Sequence, residues 1–171
     1  KLRDAGIRLI GPNCLGYINN RNKINISFAR ENPGDGDIAF ISQSGAFCTA
    51  ILDMACEKGL GFSHVVSLGN KADINENEIL PSLISDSTVK AIALYLEEFT
   101  DGKEFVSIVQ RSKKPILIIA PGSSEKSRQA ISSHTGSLAS SYDTTMAAIK
   151  KANLIHAENS QELFKLMQLV E

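Results

Sequence analysis

Only three cysteines (Cys14, Cys48, Cys56) occur in 171 residues, and no two form a CxxC pair. An odd, scattered set argues against a disulfide framework or a cysteine-based zinc site, and it fits a reducing, cytoplasmic setting. No apolar run approaches membrane-spanning length, so no membrane partner is expected. The N-terminal Lys1-Leu2-Arg3-Asp4-Ala5-Gly6 lacks the apolar core of a signal peptide. Charge of one sign is also missing. The formal net charge is -1, which gives no electrostatic reason to expect nucleic acid. No Lys follows the glycine of a Walker A loop, and no GxGxxG is present. What remains is a chain of ordinary globular composition, 43% hydrophobic and 22% charged, with the length of one domain.

Within it, short apolar runs alternate with helical patterns. Ile38-Ala39-Phe40-Ile41-Ser42 reads as a strand buried on both faces, followed after Gln43-Ser44-Gly45-Ala46 by a helix over Phe47–Cys56 that stops near Gly59 or Gly61. His64–Gly69, Val89–Leu96, Pro115–Ala120 and Leu154–His156 read as further strands. Helices are expected from about Glu76 to Ser85, with Pro81 inside, over Gly102–Lys113, and from about Asp143 to Lys151. A closing helix runs to Val170, with an imperfect capping box at Ser160. Tyr17-Ile18 and Ile24–Phe28 alternate like edge or hairpin strands. The alternation predicts an α/β fold, a doubly wound, mostly parallel five-strand sheet in a flavodoxin-like order.

In such folds ligands bind beyond the carboxyl ends of the strands. Three elements are expected there. The Ser42–Ala46 turn opens a helix whose free N–H groups suit an anion. The Tyr95-Leu96-Glu97-Glu98 strand end offers a carboxylate. The stretch Ser132-Ser133-His134-Thr135-Gly136-Ser137-Leu138-Ala139-Ser140-Ser141 sets one imidazole among hydroxyls. Its Ser and Thr residues favour a loop over a helix interior. A histidine between a carboxylate and a helix N-terminus can act as general base or as a nucleophile that takes up a phosphoryl group. The nucleophile fits better, because the carboxylate fixes the tautomer and stabilises the cation that forms. Ser42, Ser44, Gly45, Ala46, Thr135, Gly136 and Ser137 then supply amides and hydroxyls to the phosphoryl oxygens. No metal site is expected. The glycine- and proline-rich Gly11-Pro12-Asn13-Cys14-Leu15-Gly16 and the polar Gly69-Asn70-Lys71-Ala72-Asp73 complete the candidate loops.

Four stretches carry a resemblance: Arg8–Gly16, Ser42–Ala46, Ser67–Asp73 and Ser132–Ala139. In this order they resemble the flavodoxin-like domain of the ADP-forming acyl-CoA synthetases, the acetate:CoA ligases, and more distantly the alpha subunit of succinyl-CoA synthetase. The resemblance implies a reversible reaction, acyl-CoA + ADP + phosphate to carboxylic acid + ATP + CoA, by way of an acyl phosphate and a phosphohistidine. It implies that His134 is that histidine and Glu97 its carboxylate partner, with Ser44-Gly45-Ala46 on the phosphate. Asn13, Cys14, Gly16, Gly69, Asn70 and Lys71 would face the acyl group and CoA.

It further implies an N-terminal CoA-binding domain, with residues 1–30 leading from it into a core over 31–171. An ATP-grasp domain or subunit would hold ATP or ADP with Mg2+, and an oligomer is expected. The family usually has Lys-Ser/Ala-Gly where Pro121-Gly122 stands, and Gly where Ser140 stands. Two other classes are weighed: a regulatory synthetase-like domain of a protein lysine acetyltransferase, which lacks the histidine, and a flavin- or phosphate-binding module.

Overall fold

The computed structural model describes residues 3–122 and 142–171. His134, Thr135, Gly136 and Ser137 therefore lie outside the described residues.

A seven-stranded sheet organises them, in the order β2-β1-β4-β3-β5-β6-β7. The strands are β1 (Gly16–Asn19), β2 (Ile24–Ser27), β3 (Ile38–Ser42), β4 (Phe62–Ser67), β5 (Ala91–Tyr95), β6 (Ile116–Ile119) and β7 (Ile155–His156). β3 to β7 pair in parallel. These are the five expected strands, and their order, β4-β3-β5-β6-β7, is the flavodoxin one. The sheet exceeds the expected five because the hairpin β1–β2, antiparallel within itself, pairs antiparallel with β4 and extends the edge. The lead-in segment 1–30 thus contributes two strands to the same sheet.

The central strands are apolar throughout because both faces are covered. Helices α1 (Gly45–Lys58) and α5 (Ser160–Val170) pack on one face with Phe40, Phe62 and Val65. Helices α2 (Glu76–Ser85), α3 (Gly102–Val109) and α4 (Tyr142–Lys151) cover the other, with Ile41, Val66, Leu94 and Ile118. α2 keeps the expected bounds despite Pro81. α3 stops at Val109 rather than Lys113. The cap of α5 falls one residue before the expected Ser160: Asn159 accepts from Glu162 N, and Glu162 Oε2 accepts from Glu158 N at 2.8 Å. Moving the frame by one residue lets Glu162 reach back to the N–H of Glu158, just before the cap, a near-reciprocal arrangement that Ser160 and Leu163 could not make. Among the described residues no helix is long and apolar enough to cross a membrane.

Candidate functional site

β3 leads through α1 to β4 on one side, and β4 leads through α2 to β5 on the other. The chain therefore changes direction between β3 and β5, and a crevice opens beyond their carboxyl ends. Four loops meet at this edge: 11–15, 43–46, 68–73 and 96–100.

The 43–46 turn is built by side chains of its own. Ser42 is wholly buried, and its hydroxyl donates to the Ser44 carbonyl at 2.7 Å, so it shapes the turn from beneath. Ser44 caps α1, accepting from Phe47 N through Oγ and from Cys48 N through its carbonyl. The next two amides, of Gly45 and Ala46, have no acceptor among the described residues and lie at an accessible surface. The other four described helices each carry an acid in the first turn, and α1 carries none. Its positive dipole end is left uncompensated.

Gln43 escaped the sequence reading. It is buried, its N–H donates to Tyr95 O, and its Oε1 accepts from Glu97 N at 3.0 Å and Glu98 N at 3.3 Å. One amide side chain thus fixes the Glu97 backbone beside the α1 N-terminus. A glutamine between two serines gives no such signal, because the bond depends on β5 lying next to β3. Glu97 is half-buried, with Oε2 shielded from solvent. Tyr95 stacks on Phe47 with centroids 4.1 Å apart, and burial, then the Glu97 charge, push its hydroxyl up to about 12. Both rings line a cavity of about 600 Å³ that continues to His156, Asn159 and Ser160.

The 11–15 and 68–73 loops are interlocked. Asn70 N and Ala72 N donate to Pro12 O and Gly11 O, and Asn13 Nδ2 reaches Asn70 Oδ1 at 3.3 Å. Gly69, at φ +57°, leaves no room for a side chain: a Cβ would fall 2.2 Å from Pro12 O. Asn13 and Asn70 are exposed together, and Cys14 is half-exposed, its thiol 3.7 Å from Ile10 O. Leu15 N donates to Ser67 Oγ, and a Cβ on Gly45 would lie 3.8 Å from Leu15 N, so this loop pair abuts the α1 N-terminus.

Two expected residues serve differently. Gly16 begins β1, where a Cβ would sit 2.2 Å from Ile26 O, so its bareness lets the hairpin close. The Lys71 ammonium is buried, donating to Glu76 Oε2 at 3.1 Å and Glu98 O at 2.8 Å. Glu76, fully buried, also accepts from Thr100 N and Thr100 Oγ1. Lys71 therefore braces the 96–100 loop from below instead of facing the crevice. Among the described residues no group of three or more His, Cys, Asp or Glu could hold a metal ion.

The arrangement gathers the two acceptor-free amides at the start of α1, the Gln43-held backbone of Glu97 and a polar loop pair around one crevice. Residues 35–170 match the family model described as the succinyl-CoA ligase like flavodoxin domain. Over 167 residues the chain is 42% identical to the acetate–CoA ligase (ADP-forming) I of Archaeoglobus fulgidus, covering 96% of this chain and 24% of that one. It is 44% identical over 165 residues to the acetate–CoA ligase (ADP-forming) of Methanocaldococcus jannaschii, covering 95% and 23%. The structure of Candidatus Korarchaeum cryptofilum dinucleotide-forming acetyl-coenzyme A synthetase 1 in complex with phosphate and ADP superimposes with a TM-score of 0.93, at 32% identity, covering 99% of this chain and 37% of that one. The chain spans about a quarter of the length of these curated relatives.

Proposed function

The chain belongs to the family of succinyl-CoA ligase like flavodoxin domains, and on that premise we propose that it is the phosphoryl-carrying domain of an ADP-forming acyl-CoA synthetase. The observation that carries this reading is the pair of acceptor-free amides of Gly45 and Ala46 beside the Gln43-held Glu97 backbone. Two amides at a helix N-terminus favour a phosphoryl group and cost no reorganisation when it arrives.

The reaction runs in three balanced steps. Phosphate oxygen attacks the thioester carbonyl, and CoA leaves as thiolate to give an acyl phosphate. The neutral His134 imidazole then attacks phosphorus, the P–O bond to the acyl group breaks, and the carboxylate leaves. Finally an ADP oxygen attacks the same phosphorus, the P–N bond breaks, and ATP and free histidine result. Glu97 accepts the far N–H of the imidazole and stabilises the cation formed in the second step. Gly45, Ala46 and the Ser44 hydroxyl hold the phosphoryl oxygens, with Thr135 and Gly136 adding donors. Ser42 and Gln43 keep these groups in place. Asn13, Cys14, Asn70 and the Gly69 backbone face the acyl-thioester end of CoA, and Gly16 and Lys71 position them. CoA and the nucleotide with Mg2+ bind mainly on a CoA-binding domain and an ATP-grasp domain or subunit of an oligomeric, cytoplasmic enzyme. A small carboxylic acid is the product released, and in the reverse direction it supplies the acyl group that CoA accepts.

The test is phosphoprotein formation. The protein together with its CoA-binding and ATP-grasp partners is incubated with γ-labelled ATP and magnesium. Acid-labile, base-stable label that ADP discharges, and that His134→Ala abolishes, is the expected result. A wild type that stays unlabelled while still binding acyl-CoA refutes the carrier mechanism and favours a regulatory domain.

A further inference from the structure

Gln43 stands between the end of β3 and the cap of α1, and only one end of its side chain has been accounted for. Its backbone N–H donates to Tyr95 O at 2.9 Å, which ties the residue to the end of β5. Its Oε1 accepts from two backbone donors, Glu97 N and Glu98 N. Two N–H groups on one end identify that end as the carbonyl oxygen, so the other end is the amide nitrogen. The residue is only 6% exposed. Yet Nε2, with two N–H donors, has no acceptor among the described residues, and the fold does not seal it from solvent as it seals His64 Nδ1. The turn that follows Gln43 and the 96–98 backbone across from it both border the crevice. Nε2 therefore opens onto the crevice, between the Glu97 backbone and the α1 N-terminus.

We infer that Gln43 Nε2 is a third donor to the transferring phosphoryl group, beside the amides of Gly45 and Ala46. This assignment rests on the phosphoryl-carrier reading. The phosphoryl oxygens are anionic before, during and after the exchange of the P–O bond for the P–N bond. The contact therefore moves no proton; it supplies a donor already in place. Its place is set because Oε1 is held at two points, so the free end of the amide has little freedom left. The α1 amides approach from the helix end and Nε2 from the β5 side, so the group is held between α1 and the 96–100 loop. A neutral donor suits a group that must also leave. The cation of the neighbouring loop, Lys71, is engaged by Glu76 and Glu98 O, and a charged donor on the phosphate would hold it more tightly. Gln43 thus has two tasks. Oε1 positions the Glu97 backbone and Nε2 holds the phosphoryl group, so one rigid amide sets the distance between them.

Inorganic phosphate is the probe. The full chain is titrated with it while side-chain and backbone amides are followed by 1H–15N NMR, the Gln43 side-chain signals being assigned through NOEs within the residue. Those signals are expected to shift saturably, with the same Kd as the backbone amides of Gly45 and Ala46. The Gln110 side-chain amide, already bonded to Lys151 O, should stay still. Gln43→Glu then separates the two tasks. It keeps an oxygen for Glu97 N and Glu98 N but puts a second oxygen where the donor was. In the complex with the CoA-binding and ATP-grasp partners, it should form phosphohistidine from γ-labelled ATP about tenfold more slowly than wild type at about pH 8. The ratio of variant to wild type should rise as the pH falls, because a protonated carboxyl again offers one acceptor and one donor. A glutamine that only positions Glu97 gives no such loss, since a carboxylate accepts at least as well. Shifts at Gly45 and Ala46 without one at Gln43 Nε2, or wild-type labelling by Gln43→Glu at every pH, overturn this assignment and leave the carrier reading standing. No shift at any of the three, or an unlabelled wild type, contradicts the carrier reading and this assignment with it. The titration reads the unmutated chain, so a substitution that fails to fold leaves the test intact.

Discussion

At Gly69 one methyl group decides whether two loops can meet. Gly69→Ala would place a Cβ 2.2 Å from Pro12 O at a φ of +57°. The left-handed penalty alone is about 1–2 kcal/mol, and the backbone clash adds to it. Gly59→Ala is the control: φ is +74°, but the space is open. Urea unfolding should show a loss above about 2 kcal/mol for Gly69→Ala and about 1 kcal/mol for Gly59→Ala. Equal losses would mean that the loop contact carries no weight. Lys71 makes a second case. Lys71→Met leaves the Glu76 carboxylate buried without its cation, a change worth about 3–5 kcal/mol. Lys71→Met with Glu76→Leu should recover part of that stability in the same assay, whereas additive losses would argue against a coupled pair.

His64 gives a pH dependence. Its folded pKa is lowered by burial, so below its ordinary value of about 6.5 the unfolded chain takes up the proton more readily. Stability is complete above that value and falls as the pH drops through it, until the folded ring itself protonates. Wild type should therefore lose more stability than His64→Leu between about pH 7 and pH 5, as read from denaturant midpoints. Parallel profiles would contradict the buried neutral ring. None of these residues announces itself in the sequence. Lys71 looks like a cation in a polar loop and His64 like any strand histidine, and what each does is set by Glu76 and α2, which reach them only in the fold.

At the scale of elements the chain was more readable. Runs such as Ile38–Ser42 are apolar at every position because both sheet faces are covered, and that pattern survives without tertiary information. The α2 bounds were also legible, yet the helix runs through Pro81, which deprives Asn77 O of a donor. Since Pro81 is exposed, Pro81→Ala should raise stability by about 1–3 kcal/mol without altering the fold, measured by thermal or urea unfolding. Unchanged or lower stability would mean that the ring is accommodated at no cost. Caps were less legible, because Asn159 and Ser160 are both good capping residues side by side and only the Glu162 spacing separates them. Asn159→Ala should cost about 1 kcal/mol and Ser160→Ala much less. The reverse order would put the cap back at Ser160.

For the whole molecule, the doubly wound topology does the gathering. Gln43 and Glu97 are 54 positions apart, yet meet across the β3–β5 switch point, and the Gly11–Asn13 and Gly69–Ala72 loops meet because the hairpin extends the same sheet beyond β4. The order of the five parallel strands was legible from alternation and connection length. The extra two strands of the sheet follow from β1 pairing with β4, a contact that local pattern does not encode. One atom at the α1 N-terminus decides whether this helix end holds the phosphoryl group. Gly45 is the first residue of α1 and follows an extended Ser44, a position where proline is accepted by the helix but removes the N–H. Phosphate affinity, read by 31P NMR titration, should fall about tenfold in Gly45→Pro and stay near wild type in Gly45→Ala. Unchanged affinity in Gly45→Pro would contradict the assignment of this helix end to the phosphoryl group.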